Sequence, residues 1–202
     1  MGLRRVLRRW LEPPPRPLAP PSPGTRRLHW GCGTIIAQGW INTDVQKMPG
    51  VGLVTDVRAG LPFPDGSIHC IASQHVLVEL AIRELVPTLQ ELRRVLCQGG
   101  VLRMGLPDLE RALEAFARRD ASYFHLIPDK AARALSGKLV CLLLWHGHSR
   151  TPLTYEWMEE LMLRAGFREV VRCEYGVTRS PFPELATLDR RPRESFFVEA
   201  RK

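Results

Sequence analysis

The chain alternates short apolar stretches with turns rich in Gly, Pro and Asp, and that pattern predicts its elements. Leu28-His29-Trp30 predicts a strand running straight into Gly31-Cys32-Gly33. Residues 41–44 and 52–56 predict a second and a third strand, each ending on an acid, Asp44 and Asp56. Turn chemistry at 62–67 leads into an apolar strand over 67–73, followed by Gln74-His75-Val76-Leu77. A helix is predicted from about 82 to 96, with Leu85, Leu89, Leu92 and Leu96 on one stripe and Pro87 near an irregular first turn. Gly99-Gly100 stops it, and 101–106 reads as the fifth strand.

The second half is less regular. A helix is expected from Leu109 to about Arg119, then an irregular stretch over 120–150 holding an apolar run, 139–145, and His146-Gly147-His148-Ser149-Arg150. Thr154 can cap a helix that runs through Leu163 and ends at Gly166. Residues 167–175 and 195–200 read as the last two strands. No internal repeat and no apolar run of about 18 residues is present.

Strands alternating with helical or loop segments predict an α/β fold around a parallel open sheet. In such sheets ligands bind outside the carboxyl ends of the strands. Gly31-Cys32-Gly33, Asp44, Asp56, 73–75 and Pro107-Asp108 all follow strand ends, so one edge of the sheet is the candidate site. A glycine turn lets backbone N–H groups approach a ligand closely. Asp44 suits a ribose diol and Asp56 an adenine amine, which together point to a nucleoside-containing cofactor. Dinucleotide sites want a third glycine three residues after the second and an acid about 20 residues further on. This chain has Ile36 in the first place and an acid only 11 residues after Gly33, so a pyrophosphate seated on a helix is disfavoured.

On these residues the chain resembles the class I S-adenosylmethionine-dependent methyltransferases, and more narrowly their short type-11 group. The resemblance is carried by LHWGCG (28–33), GWINTD (39–44), DVRAGLPFP (56–64), Asp65-Gly66-Ser67, His75-Val76-Leu77, RRVLCQGG (93–100), VLRMGLPDLE (101–110), RAGF (164–167) and ESFFVEA (194–200). It spans residues 28–202 and implies a Rossmann-like, mostly parallel sheet with an antiparallel last strand. It also implies S-adenosylmethionine as cofactor. Gly31, Cys32 and Gly33 would then turn under the methionine part, Asp44 would hold the ribose, Asp56 and Val57 would flank the adenine, and Ser73 and His75 would wall the methyl group. Two positions depart from the family pattern: Ile35 replaces its third glycine, and the stretch His75–Leu80 lacks its second histidine.

Composition changes the picture at one end only. The chain has 202 residues and a net charge of +8, which invites a nucleic-acid reading. Residues 1–27 hold seven Arg and one Glu, or +6 of that charge, and 7 of the 17 prolines. The remaining 28–202 is nearly neutral and carries no strong nucleic-acid signal. The expected organisation is thus a basic, Pro-rich arm (1–27) on a methyltransferase domain (28–202). Within the arm, 1–11 (MGLRRVLRRWL) has a short basic amphipathic pattern, closed by Glu12 and three prolines. Its readings are a weak contact with an anionic membrane surface or a partner, an organelle transit segment, or an arm without fixed role. The secretory pattern is missing, and Val6 breaks the myristoylation pattern. Five cysteines, scattered singly, predict neither a disulfide framework nor a metal site and favour a reducing, cytoplasmic setting.

The chemistry expected is methyl transfer to a small molecule or glycan at oxygen. The Asn/Asp-Pro-Pro-Tyr motif of base-amine methyltransferases is absent where the chain reads Ser73-Gln74-His75. His75 and His148 are the candidate catalytic residues, with His146 beside the latter. Asp108 reads as a helix cap or a substrate contact, His29 as structural, and Arg150 and Tyr155 as weaker candidates. Two other readings stay open: a non-catalytic binding protein on the same fold, and an RNA-modifying enzyme that uses the arm.

Overall fold

The computed structural model describes residues 24–202. Expectations that fall on residues 1–23, including the amphipathic stretch and the proline run, lie outside the described residues. Seven strands form one sheet in the order β3-β2-β1-β4-β5-β7-β6. They are β1 (Arg27–Trp30), β2 (Ile41–Asp44), β3 (Leu53–Val54), β4 (Ile68–Gln74), β5 (Leu96–Pro107), β6 (Arg168–Cys173) and β7 (Ser195–Arg201). The first five run parallel. β7 runs antiparallel to both neighbours, β5 and β6. This is the Rossmann-like sheet with an antiparallel last strand that the sequence led us to expect.

Burial explains why the strands sit where they do. β1 lies inside the sheet between β2 and β4, and all four of its residues are buried, Arg27 and His29 included. A strand covered on both faces has no polar side to alternate with. Among the described residues four helices flank the sheet: α1 (Ile82–Val95), α2 (Leu109–Ala117), α3 (Leu135–Leu144) and α4 (Tyr155–Arg164). α1 buries Leu85, Leu89 and Leu92 against the main core, as the stripe predicts. The irregular first turn does not appear: α1 is continuous through Pro87, and the Glu84 carboxylate accepts the Ala81 backbone N–H at 2.8 Å to hold its start. Thr154 caps α4 by accepting the Trp157 N–H at 3.3 Å.

Two structural features escaped the pattern. Residues 135–144 form a helix with no fully buried residue, half-covering Leu135, Leu139, Leu142 and Leu143 against the cluster around Phe124. Its apolar residues run nearly all round, so periodicity gives no sign of a face. The other feature is a set of buried charges under the segment 182–190. Arg103, fully buried on β5, pairs with Asp189 at 2.6 Å and Glu199 at 2.7 Å. Arg27 pairs with Glu184, both buried. Arg27 opens β1 and Arg103 lies midway along β5, so these pairs fasten Glu184 and Asp189 of the segment to the sheet. No helix among the described residues is long and apolar enough to cross a membrane.

Candidate functional site

The chain leaves β1 through a turn that only glycine can make at its first position. Gly31 has φ +68°, and a Cβ there would collide with the Val76 methyls. The turn is stitched to β2, the Cys32 N–H donating to the Thr43 carbonyl at 2.9 Å. The Gly33 N–H donates to Asp44 Oδ2 at 2.9 Å, and the Gln46 N–H to Oδ1 at 2.9 Å. Each carboxylate oxygen of Asp44 therefore keeps a lone pair, which is what a vicinal diol needs. Cys32 is buried, and burial pushes its thiol up to about 11, so it stays protonated and does not act as a nucleophile.

Asp56 is differently placed. Its Oδ1 caps the short helical turn at 57–59 by accepting the Arg58 N–H. The Arg58 guanidinium also forks onto it, Nε at 2.9 Å from Oδ1 and a terminal nitrogen at 2.6 Å from Oδ2. That pairing holds the Asp56 carboxyl below its ordinary range. Val57 points into the main core.

At the end of β4 two polar side chains have no partner among the described residues. Ser73 Oγ is buried and unbonded, and both amide atoms of Gln74 are buried and unbonded. Gln74 lies over Gly105 of β5, where a Cβ would occupy the place of its amide. His75 follows with φ +58°, its N–H on the Gly105 carbonyl at 2.8 Å and its Nε2 2.7 Å from Ser195 Oγ.

Gly31, Cys32, Gln74 and His75 form one wall of an open cleft of about 770 Å³, a volume that includes space open to solvent. The lining also includes Trp145 and Ser149 from beyond α3, and Arg190, Arg191 and Glu194 from the connection into β7. Asp44, Asp56, Val57 and Ser73 share the same sheet edge but are not among the residues lining this cleft. His148 is also outside the lining, although its neighbours Trp145 and Ser149 are in it. His146 is exposed in a left-handed conformation. His29 lines the cleft but is buried, 3.3 Å from Asn42 Oδ1, and burial lowers its pKa to about 4. Asp108 is the cap of α2: Oδ1 accepts the Arg111 N–H at 3.0 Å, and Oδ2 lies 3.2 Å from both Arg111 and Arg172. Arg150 is exposed near Glu84, and Tyr155 stacks under Arg172, both away from the cleft.

Sequence reasoning placed Gln74 on the candidate edge only as part of the stretch 73–75, and missed Arg190 and Glu194 as cleft residues. Gln74 was legible as the residue after a buried strand. Arg190 and Glu194 lie in a connection without periodicity, and only the tertiary fold brings them to β1 and β4.

The sheet order and the antiparallel β7 define the class I methyltransferase fold. Residues 28–104 match the family model described as "Methyltransferase domain", type 11. The resemblance read from the sequence is borne out, and S-adenosylmethionine is the cofactor it implies. Similar solved structures include an S-adenosylmethionine-dependent methyltransferase from Mesorhizobium loti, 18% identical, with a TM-score of 0.55, covering 98% of this chain and 96% of that one. Another, from Archaeoglobus fulgidus, is 14% identical with a TM-score of 0.58 and covers 89% and 87%. Phosphoethanolamine N-methyltransferase 2 of Haemonchus contortus, solved with S-adenosylmethionine, is 13% identical with a TM-score of 0.57 and covers 92% of this chain and 50% of that one. No curated protein sequence matches the chain significantly.

The residues present fit this cofactor. Gly31 and Cys32 of the turn line the cleft, Asp44 has lone pairs to spare, and the unbonded Gln74 amide awaits a polar partner. Asp56 is the poor fit, since Arg58 already occupies its carboxylate.

Proposed function

We propose that the protein is an S-adenosylmethionine-dependent methyltransferase whose acceptor is a small molecule or glycan, methylated at oxygen. The observation that carries the reading is that Gly31 and Cys32 of the turn line one cleft together with Gln74, whose amide is unbonded. The cofactor supplies a methyl group on sulfur, transferred by in-line displacement, so alignment does much of the work. Gly31, Cys32 and Gly33 bind it through backbone, Asp44 takes the ribose hydroxyls, Ser73 and His75 wall the methyl end, and Val57 supports the adenine side. An acceptor hydroxyl must lose its proton, and His75 is the residue we assign to take it. Its Nε2 lies at the Ser195 hydroxyl, which fixes the ring in place. His148 is the second candidate, next in sequence to Ser149 of the lining. The five cysteines are unpaired, in keeping with a cytoplasmic setting.

Calorimetry with S-adenosylhomocysteine tests the reading. Binding by the wild type, weakened by Asp44→Ala, supports it; no binding at millimolar ligand overturns it. Acceptor screening with labelled donor then separates an enzyme from a binding protein on the same fold, because fold alone does not fix activity. RNA binding that falls steeply with salt and vanishes on removing residues 1–27 would instead favour an RNA-modifying enzyme.

A further inference from the structure

Arg190 stands out among the charges of the cleft. It is 6% exposed and lines the cleft, yet among the described residues the only bond its side chain makes is from a terminal nitrogen to the Asp189 carbonyl at 3.0 Å. The carboxylate beside it, Asp189, is committed to Arg103 through both oxygens, at 2.8 and 2.6 Å. Among the described residues no acid lies within ion-pair distance of Arg190. A buried guanidinium without a counter-charge is costly, and its planar fork of donors matches a carboxylate. His29, below it on β1, is neutral above about pH 4 and does not compete for an anion.

We propose that Arg190 is the carboxylate anchor of this cleft. The two acids that line the same cleft, Glu79 and Glu194, disfavour a dianion such as phosphate and favour a single carboxylate. Gln74, whose amide is unbonded and which lines the same cleft, offers the same ligand an amide. Two ligands carry such a group: the amino-acid end of the cofactor, which rests on the reading above, or an acidic acceptor such as a carboxylated sugar.

Calorimetry on the full chain separates them, with wild type, Arg190→Gln and Arg190→Lys compared and thermal unfolding used to confirm that each variant is folded. The probes are S-adenosylhomocysteine, 5′-methylthioadenosine, which lacks the amino-acid end, and malonate added with and without S-adenosylhomocysteine. Loss of one charge-assisted pair is expected to weaken binding about tenfold or more. If Arg190→Gln loses S-adenosylhomocysteine affinity by that factor while methylthioadenosine is unchanged, Arg190 holds the cofactor's carboxylate. If both nucleosides are unchanged and malonate binding is lost, it holds an acceptor carboxylate. In either case Arg190→Lys retains part of the affinity. Unchanged binding of all three probes in a folded Arg190→Gln variant overturns the proposal. A wild type that binds neither nucleoside overturns the cofactor reading, and malonate alone then decides the role of Arg190.

Discussion

At the scale of single residues, Gly31 and His29 make opposite demands on the same strand end. Gly31 must have no side chain, because its φ is left-handed and Val76 fills the space a Cβ would take. Gly31→Ala is expected to cost on the order of 1–3 kcal/mol through strain and overpacking, read as a lower urea midpoint. His29 must be neutral. Its folded pKa of about 4 lies below the unfolded value of 6.5, so the unfolded chain binds the extra proton between the two. Stability from this residue is full above pH 6.5 and is lost as pH falls toward 4. Unfolding free energy is expected to drop about 2 kcal/mol more between pH 7 and pH 5 in the wild type than in His29→Gln. Equal slopes in the two proteins would show that His29 is not the source. The glycine was legible in the sequence as part of a Gly-x-Gly turn. The reason for it was not, because Val76 is 45 residues away and meets it only when β4 pairs with β1.

At the scale of elements, legibility followed periodicity. The strands over 27–30, 41–44, 68–74 and 195–201 and the helix over 82–95 appear where the apolar pattern places them, to within a residue or two. β3 shortened to two residues, because Val54 is half exposed and Asp56 turns away to cap 57–59. α3 was not legible, because its apolar residues lack a face. Pro87 misled in the other direction: it signals irregularity, and α1 runs through it unbroken. The helix tolerates it because Leu85, Leu89 and Leu92 bury one face completely, which outweighs one missing backbone bond. Pro87 itself is exposed. Pro87→Ala therefore restores an N–H donor toward the Arg83 carbonyl without disturbing the core. It is expected to stabilise the protein by about 1–2 kcal/mol, part of the propensity gain being offset by a freer unfolded chain. A thermal midpoint that falls would mean that the proline is needed where it is.

At the scale of the whole molecule, the informative charges of the domain extend beyond Asp44 and Asp56. Arg103 sits at the centre of β5 and binds Asp189 on the connection before β7 and Glu199 on β7 itself. Glu199 in turn accepts the Thr178 hydroxyl and the Arg179 N–H, and Asp189 accepts the Gly176 N–H at 2.7 Å. One guanidinium thus ties three chain segments together and sets the place of Arg190, which is next in sequence to Asp189. A hydrophobic pattern cannot announce such a group, since Arg103 occupies a strand position that reads as polar and is fully buried. Removing one member leaves the others charged and unpaired in the interior. Arg103→Met is expected to lose about 3–5 kcal/mol at pH 7, measured by urea unfolding. The deficit should shrink toward pH 5, because burial already pushes the Asp189 carboxyl up and, without the cation, it takes up a proton more readily than in the unfolded chain. Asp189→Asn is the milder change. It keeps an acceptor for Arg103 and should leave the fold intact, while loosening the segment that carries Arg190. Its expected signature is weaker S-adenosylhomocysteine or malonate binding at nearly unchanged secondary structure. If Asp189→Asn binds every probe as the wild type does, the buried network serves the fold alone and the anchor needs no such support.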